Sequence, residues 1–127
     1  MPTQADADFT RAQQFIDSNQ VPSALLILDR LAIAGKPNVQ ALYLSAKLRI
    51  VGKVEVDKAL PALTRYIELA DADTQPSKAA AWWRKGNAYE LLGKLADAKN
   101  CYEQAVKLDS NDDDYKSALA KLNGATQ

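Results

Sequence analysis

The sequence predicts an all-α fold: three helical hairpins stacked side by side and closed by a seventh helix. Two observations carry that expectation. Apolar residues recur every three or four positions in seven separate stretches, the period of an α-helix with one buried face. Breaks rich in Gly, Pro, Asn and Ser fall between the stretches at turn length. The pattern is strongest from Ala81 to Ser110, where Trp82, Lys85, Gly86, Tyr89 and Leu92 form one stripe, Gly93 stops it, and Leu95, Ala98, Tyr102, Ala105 and Leu108 form the next. Two amphipathic helices joined by so short a turn pack antiparallel. Gly86 and Ala98 are small where the axes approach, and Trp82, Tyr89 and Tyr102 fill the space around them.

The first helix opens at Thr3, with Asp6 at capping-box spacing, and carries Phe9, Ala12, Phe15 and Ile16 on its apolar side. After a turn at Ser18 to Gln20, Pro22 suits the first turn of a second helix through Ala24, Leu25, Leu28 and Leu31, which Gly35 stops. Pro37 opens a third helix with Ala41, Leu44, Ser45, Leu48 and Val51 as its stripe and Gly52 at its end. The fourth helix is expected over about 57–70 with Ala59, Leu63, Tyr66 and Leu69 buried. Pro61 inside it demands a late start or a bend. Past the strong hairpin, Ser110 and Asp113 repeat the capping-box spacing, and Asp112, Asp113 and Asp114 suit the positive end of a helix dipole. Tyr115, Ala118, Leu119 and Leu122 then give a seventh stripe, ended by Asn123 and Gly124. The three carboxylates also suit a basic partner or a calcium loop, but the central Gly and further acids of an EF-hand loop are missing.

Composition excludes more than it proposes. The 127 residues suffice for one domain with a real core. Sixteen basic and sixteen acidic side chains give no net charge, which removes the electrostatic argument for nucleic acid or an anionic membrane. The absence of histidine removes His-based acid–base chemistry, Ser-His and Cys-His nucleophile pairs, and ordinary His metal sites. No Gly-rich phosphate loop or metal-ligand cluster stands out, so no catalytic, cofactor or metal residue is expected and the chain reads as non-enzymatic. Cys101 is the sole cysteine, which forbids an internal disulfide. It lies between the buried positions Ala98 and Tyr102 and reads as a small apolar residue. The N-terminal MPTQADADF has neither the basic start nor the apolar run of a secretory signal, and a cytoplasmic location is expected.

The spacing of Trp82, Gly86, Tyr89, Gly93, Ala98, Tyr102 and Ala105 resembles a tetratricopeptide repeat, a helical hairpin of ~34 residues. On that likeness the chain is a single domain, 1–127, with hairpins at about 3–35, 37–71 and 76–109 and a closing helix at about 111–123. The first hairpin is an atypical end repeat, with Asp8 and Arg11 where large apolar residues are expected. The stretch 71–76 lengthens the second repeat beyond the usual ~34 residues. That longer period resembles the repeats of kinesin light chains.

The resemblance implies a right-handed superhelical array whose concave groove is lined by the first helix of each pair. The function implied is a protein-interaction scaffold or adaptor that binds a partner protein or peptide. The alternative is a cytoskeleton-associated, kinesin-light-chain-like protein on a tubulin-like or other filament. The positions that the packing stripe leaves for the groove are Phe9, Gln13, Ile16 and Asp17, then Leu42, Ala46, Arg49 and Ile50, then Trp83, Asn87, Glu90 and Leu91. Trp83 either packs on the third helix across the repeat junction or offers an aromatic anchor. Arg49 and Glu90 either pair across the groove or bind a charged peptide. Cochaperones of the heat-shock type hold an acidic C-terminal peptide in a clamp of Lys, Asn and Arg over three consecutive repeats. Asn87 matches the clamp Asn, but Trp83 stands in place of the Lys and two further full repeats do not follow, so the clamp is not expected.

Overall fold

The computed structural model describes residues 3–34 and 38–125. They form α1 (Gln4–Asp17), α2 (Val21–Ala32), α3 (Val39–Gly52), α4 (Ala59–Leu69), α5 (Lys78–Leu91), α6 (Leu95–Leu108) and α7 (Asp113–Ala125), with a 3-10 turn at Val56–Lys58. No strand occurs among the described residues. Helices pack in chain order, α1 on α2, α3 on α4 and α5 on α6, and each hairpin leans on the next through α2–α3, α4–α5 and α6–α7.

Local chemistry sets the helix ends. The Thr3 hydroxyl accepts from the Asp6 amide at 3.0 Å while the Asp6 carboxylate accepts from the Thr3 amide, the expected capping box. Pro22 occupies the first turn of α2, where a missing N–H costs nothing. Gly35 as the stop of α2 and Pro37 as the start of α3 lie outside the described residues. Asn38 caps α3 and Ser77 caps α5, each accepting from an amide three residues on. Pro61 falls in the first turn of α4, because the 3-10 turn delays the helix start until Ala59. Gly93 supplies the left-handed residue after α5, with φ +77°. After α3 the same conformation falls on Lys53 and Glu55 instead.

Two expected boundaries differ at the C-terminus. The cap of α7 is Asp112, whose carboxylate accepts from the Tyr115 amide at 3.1 Å, and Ser110 lies outside the helix. The helix also continues through Asn123 and Gly124 to Ala125. A single Gly within a helix costs only ~1 kcal/mol relative to Ala, which the packing of Leu122 and Tyr115 readily outweighs.

The core runs through the stack. Ala12, Ala24, Leu28 and Leu31 seal the first hairpin against Ala41 of α3. Leu42, Ala46, Ile50, Ala59, Leu63 and Tyr66 fill the second against Ala81 and Ala88 of α5. Tyr102, Ala98, Ala105, Tyr115 and Leu122 join the third to α7. Val51, Leu69, Leu92, Leu95 and Leu108, expected in the buried stripes, are exposed. All five stand at helix ends, beyond the reach of the neighbouring hairpin.

The lengthened junction is held by its own bonds. Asp71 and Thr74 close a turn through the Asp71 amide and the Thr74 hydroxyl, and Gln40 donates to the Gln75 carbonyl. The Tyr66 hydroxyl donates to the Pro76 carbonyl, tying the loop to the core.

Candidate groove at the third hairpin and closing helix

Trp83, Asn87 and Glu90 follow one another at helical spacing on α5, off its buried stripe, and the structure brings all three to one cavity. The cavity measures about 300 Å³ and is completed by Tyr102 of α6 and by Asp114, Ser117, Ala118 and Lys121 of α7. Its polar groups form a relay. Asn87 Nδ2 donates to the Tyr102 hydroxyl at 2.9 Å, which donates to Glu90 Oε1 at 2.8 Å. Lys121 Nζ stands 3.9 Å from the other Glu90 oxygen. The Asn87 amide therefore spends a donor inside the protein and leaves its carbonyl oxygen for a ligand.

Trp83 packs forward rather than back. Its ring lies 5.8 Å from Tyr115 of α7, not against α3, and Arg84 sits over it at 4.7 Å. The Arg84 Nε in turn donates to the Tyr43 hydroxyl at 3.4 Å, joining the second hairpin to the third. The indole remains half-buried, with an edge on the cavity.

The expected groove residues of the second hairpin sit elsewhere. Leu42, Ala46 and Ile50 are buried in the core with Leu63 and Tyr66. Ala81 and Ala88 of α5 complete the cluster from the other side, so these side chains form no open groove. Arg49, also expected on the groove, is 5% exposed and turns to α2, where Nη1 and Nη2 donate to both Asp29 oxygens at 2.8 and 2.7 Å. It does not pair with Glu90. The hydrogen bond it donates to Asp29 raises its pKa against the opposing effect of burial, so the guanidinium is fully charged. In the first hairpin, Gln13, Ile16 and Asp17 line a shallow cavity of about 350 Å³ with Leu44. Phe9 packs into the α1–α2 core and Leu91 is exposed at the end of α5.

Sequence reasoning missed the contribution of Tyr102 and of α7. Tyr102 reads as a core filler, yet its hydroxyl is the centre of the relay. Asp114, Ser117 and Lys121 share one face of α7 at helical spacing, a signal present in the sequence that the reading of α7 as a cover left unused.

Buried phenols and the thiol give the second and third hairpins a pH signature. Burial pushes Cys101 up to about 11 and Tyr66 up to about 12. Burial also raises Tyr102, with Asn87 lowering and Glu90 raising it further. Each group holds its proton more tightly folded than unfolded, so its stabilisation is complete below its ordinary value and is lost as pH rises through its folded value. The melting temperature is therefore expected to fall steadily from about pH 9 to pH 12. For Cys101 the loss lies between its ordinary 9.0 and about 11 and is on the order of 2–3 kcal/mol. A Cys101→Ala variant should flatten the curve between pH 9 and 11 in a calorimetric titration; an unchanged slope would contradict the burial described.

Among the described residues no helix is long and apolar enough to cross a membrane, and no group of His, Cys, Asp and Glu is placed to hold a metal ion.

Residues 79–112 match the family model of the tetratricopeptide repeat. A search of curated proteins with this sequence returns no match. Among solved structures the chain is similar to MamA from AMB-1, at 19% identity and a TM-score of 0.80, over 97% of this chain and 64% of that one. The chain thus spans less than two thirds of the MamA chain. It is similar to the first repeat domain of Spaghetti (RPAP3) bound to the HSP90 peptide SRMEEVD, at 20% identity and a TM-score of 0.80, over 97% of this chain and 93% of that one. The second repeat domain of human RPAP3, in complex with the HSP70 peptide SGPTIEEVD, matches at 23% identity and a TM-score of 0.78, over 94% of this chain and 95% of that one. At these identities the likeness is one of fold.

Proposed function

We propose that the chain, whose residues 79–112 match the tetratricopeptide repeat model and whose fold is like that of such proteins, is a non-enzymatic scaffold. It binds a segment of a partner protein across the face of its first helices, with residues 1–127 acting as one domain. The observation that carries this reading is the cavity at α5 and α7, where Trp83, Asn87 and Glu90 converge with a hydrogen-bonded relay behind them. An aromatic edge beside fixed polar groups is what anchors a peptide side chain and its backbone. The second hairpin contributes no groove surface of its own through Leu42, Ala46 and Ile50, so binding concentrates at the C-terminal end of the array. The filament-binding alternative rests on the longer 71–76 junction and the general repeat pattern, and the junction's own bonds, between Asp71 and Thr74, point to no partner.

The test uses wild-type protein and an Asp114→Arg, Ser117→Arg variant, both changes falling on exposed positions at the rim of the cavity. Partners captured from cell extract are identified, then titrated against each protein by calorimetry. At least tenfold weaker binding to the variant is expected, with only the small loss of stability that reversing one first-turn charge of α7 brings. A partner that binds both equally removes the cavity from the interface. The peptide SRMEEVD serves as a control and is expected not to bind, because Trp83 stands where the clamp requires a Lys.

A further inference from the structure

A second concavity lies on the other side of the array, between α2 on one wall and, on the other, the segment after α3 that leads into α4, with α3 as its floor. Two cavities of about 630 and 300 Å³ share Asp29, Arg49 and Lys58 and together follow the length of α2. Twelve helical residues span ~18 Å. The larger cavity is walled by aliphatic side chains that remain open to solvent: Leu26 is 72% exposed, Val51 65% and Val54 53%. Leu48 and Leu25 lie beneath them. Scattered apolar residues on a surface are ordinary, but several gathered in one trough mark an interaction site.

The rim is built at a cost. Lys53 and Glu55 both adopt left-handed backbone, φ 56° and 48°, on either side of Val54. A non-glycine residue in that region is disfavoured, and two of them in three positions persist where the surroundings over-determine them. Their effect is to carry the chain outward after α3 and hold Val54 over the trough.

The charged groups in the trough are already engaged. Arg49 holds Asp29 through two hydrogen bonds, and Lys58 Nζ stands 2.6 Å from Glu55. Arg65, at the edge of the smaller cavity, pairs with Glu68 of its own helix at 3.5 Å, so each cation lining the trough has a carboxylate partner and the trough offers an occupant mainly apolar surface. That accounting separates the known modes of peptide recognition. An acidic or phosphorylated segment needs free cations, which Arg49, Lys58 and Arg65 are not. A polyproline segment needs an aromatic-lined groove, and the trough is lined without aromatic residues. Strand addition needs a sheet edge, and the described residues contain no strand. Capture of a chain terminus needs an unpaired charge to meet it, which the paired side chains do not offer, and the remaining mode is a helix in a groove, which suits two flanking helices that barely touch one another.

We infer that the trough between α2 and α4 is a docking site for an amphipathic helix of a partner protein, about three turns long. Its apolar residues, spaced i, i+3, i+4 and i+7, seat on Leu26, Val51 and Val54. The site is on different residues from the α5–α7 cavity and stands or falls independently of it.

Two displayed peptide libraries test this on the purified chain. One holds 14-residue helix-forming peptides with randomised i, i+3, i+4 and i+7 positions; the other holds linear peptides with a central Pro that forbids a helix. Selection on wild type is followed by subtraction on a Leu26→Glu, Val54→Glu variant, whose fold is checked by its melting curve. Should that variant unfold, Leu26→Ser replaces it. Helical peptides with an apolar stripe are expected to survive, to bind the variant at least tenfold more weakly in fluorescence anisotropy, and to bind Trp83→Ala as they bind wild type. Survivors from the linear library, equal binding to both proteins, or no survivors at all would overturn the assignment. Sedimentation velocity covers the remaining occupant: a wild-type dimer that the variant abolishes would give the trough to a second copy of the chain.

Discussion

Gly86→Ala is expected to destabilise the chain by about 2–3 kcal/mol, a fall in melting temperature of roughly 10 °C for a domain of this size. An added Cβ at Gly86 would lie 2.3 Å from Tyr102 Cε1 and 2.6 Å from Cδ1, far inside any real contact. Alanine gains up to ~1 kcal/mol of intrinsic helix preference over glycine, but that cannot offset the clash, because the ring has nowhere to go. Tyr102 is almost wholly buried, and its hydroxyl is held between Asn87 and Glu90. Relief requires α5 and α6 to separate or the relay to break. Thermal melts of Gly86→Ala, Tyr102→Leu and the double variant provide the check. The double variant should lose less than the sum of the singles, since the smaller side chain admits the new methyl group. Additive losses, or an unaltered melt for Gly86→Ala, would refute the close approach of the two helices.

The Arg49–Asp29 pair is expected to respond unequally to removal of either end. Asp29→Ala strands a guanidinium that is 5% exposed and whose Nε already lacks a partner. The remaining help comes from Glu55 at 3.8 Å. Leaving such a charge uncompensated costs about 3 kcal/mol or more. Arg49→Met leaves Asp29, a carboxylate 44% exposed that water can solvate once its partner is gone. Methionine also retains most of the buried stem, so a loss of about 1 kcal/mol is expected. Urea denaturation of both variants measures the difference; a larger loss for Arg49→Met would show that the stem, and not the charge, is what the structure depends on. The pair links α2 to α3 and so joins the first hairpin to the second. Its place in the floor of the α2–α4 trough means that these stabilities must be known before any binding defect at Arg49 is interpreted.

Trp83 stands at the limit of what a local pattern dictates. Because Trp82 takes the signature position, its neighbour must point about 100° away round the helix, and that much follows from the sequence. Which helix receives it does not. Tyr115 stands 32 residues further on, and no periodicity relates the two. Leu42, Ala46 and Ile50 show the opposite outcome. They hold the same helical positions as Trp83, Asn87 and Leu91, yet they are buried, because α4 brings Leu63 and Tyr66 and α5 brings Ala81 and Ala88 against them. Arg49 is the residue least readable in advance: its partner lies on the preceding helix and not across the groove.

Helix content, the hairpin order, the capping box at Thr3 and the close approach at Gly86 were all written in local pattern. Each depends on residues within about one turn or one hairpin of each other, where spacing alone dictates which side chains share a face. Contacts between hairpins required the assembled stack. The cavity at α5 and α7, the Asp29–Arg49 bridge and the trough beside Val54 arise where surfaces distant in sequence meet, and the axial spacing and rotation of packed helices depend on every side chain between them.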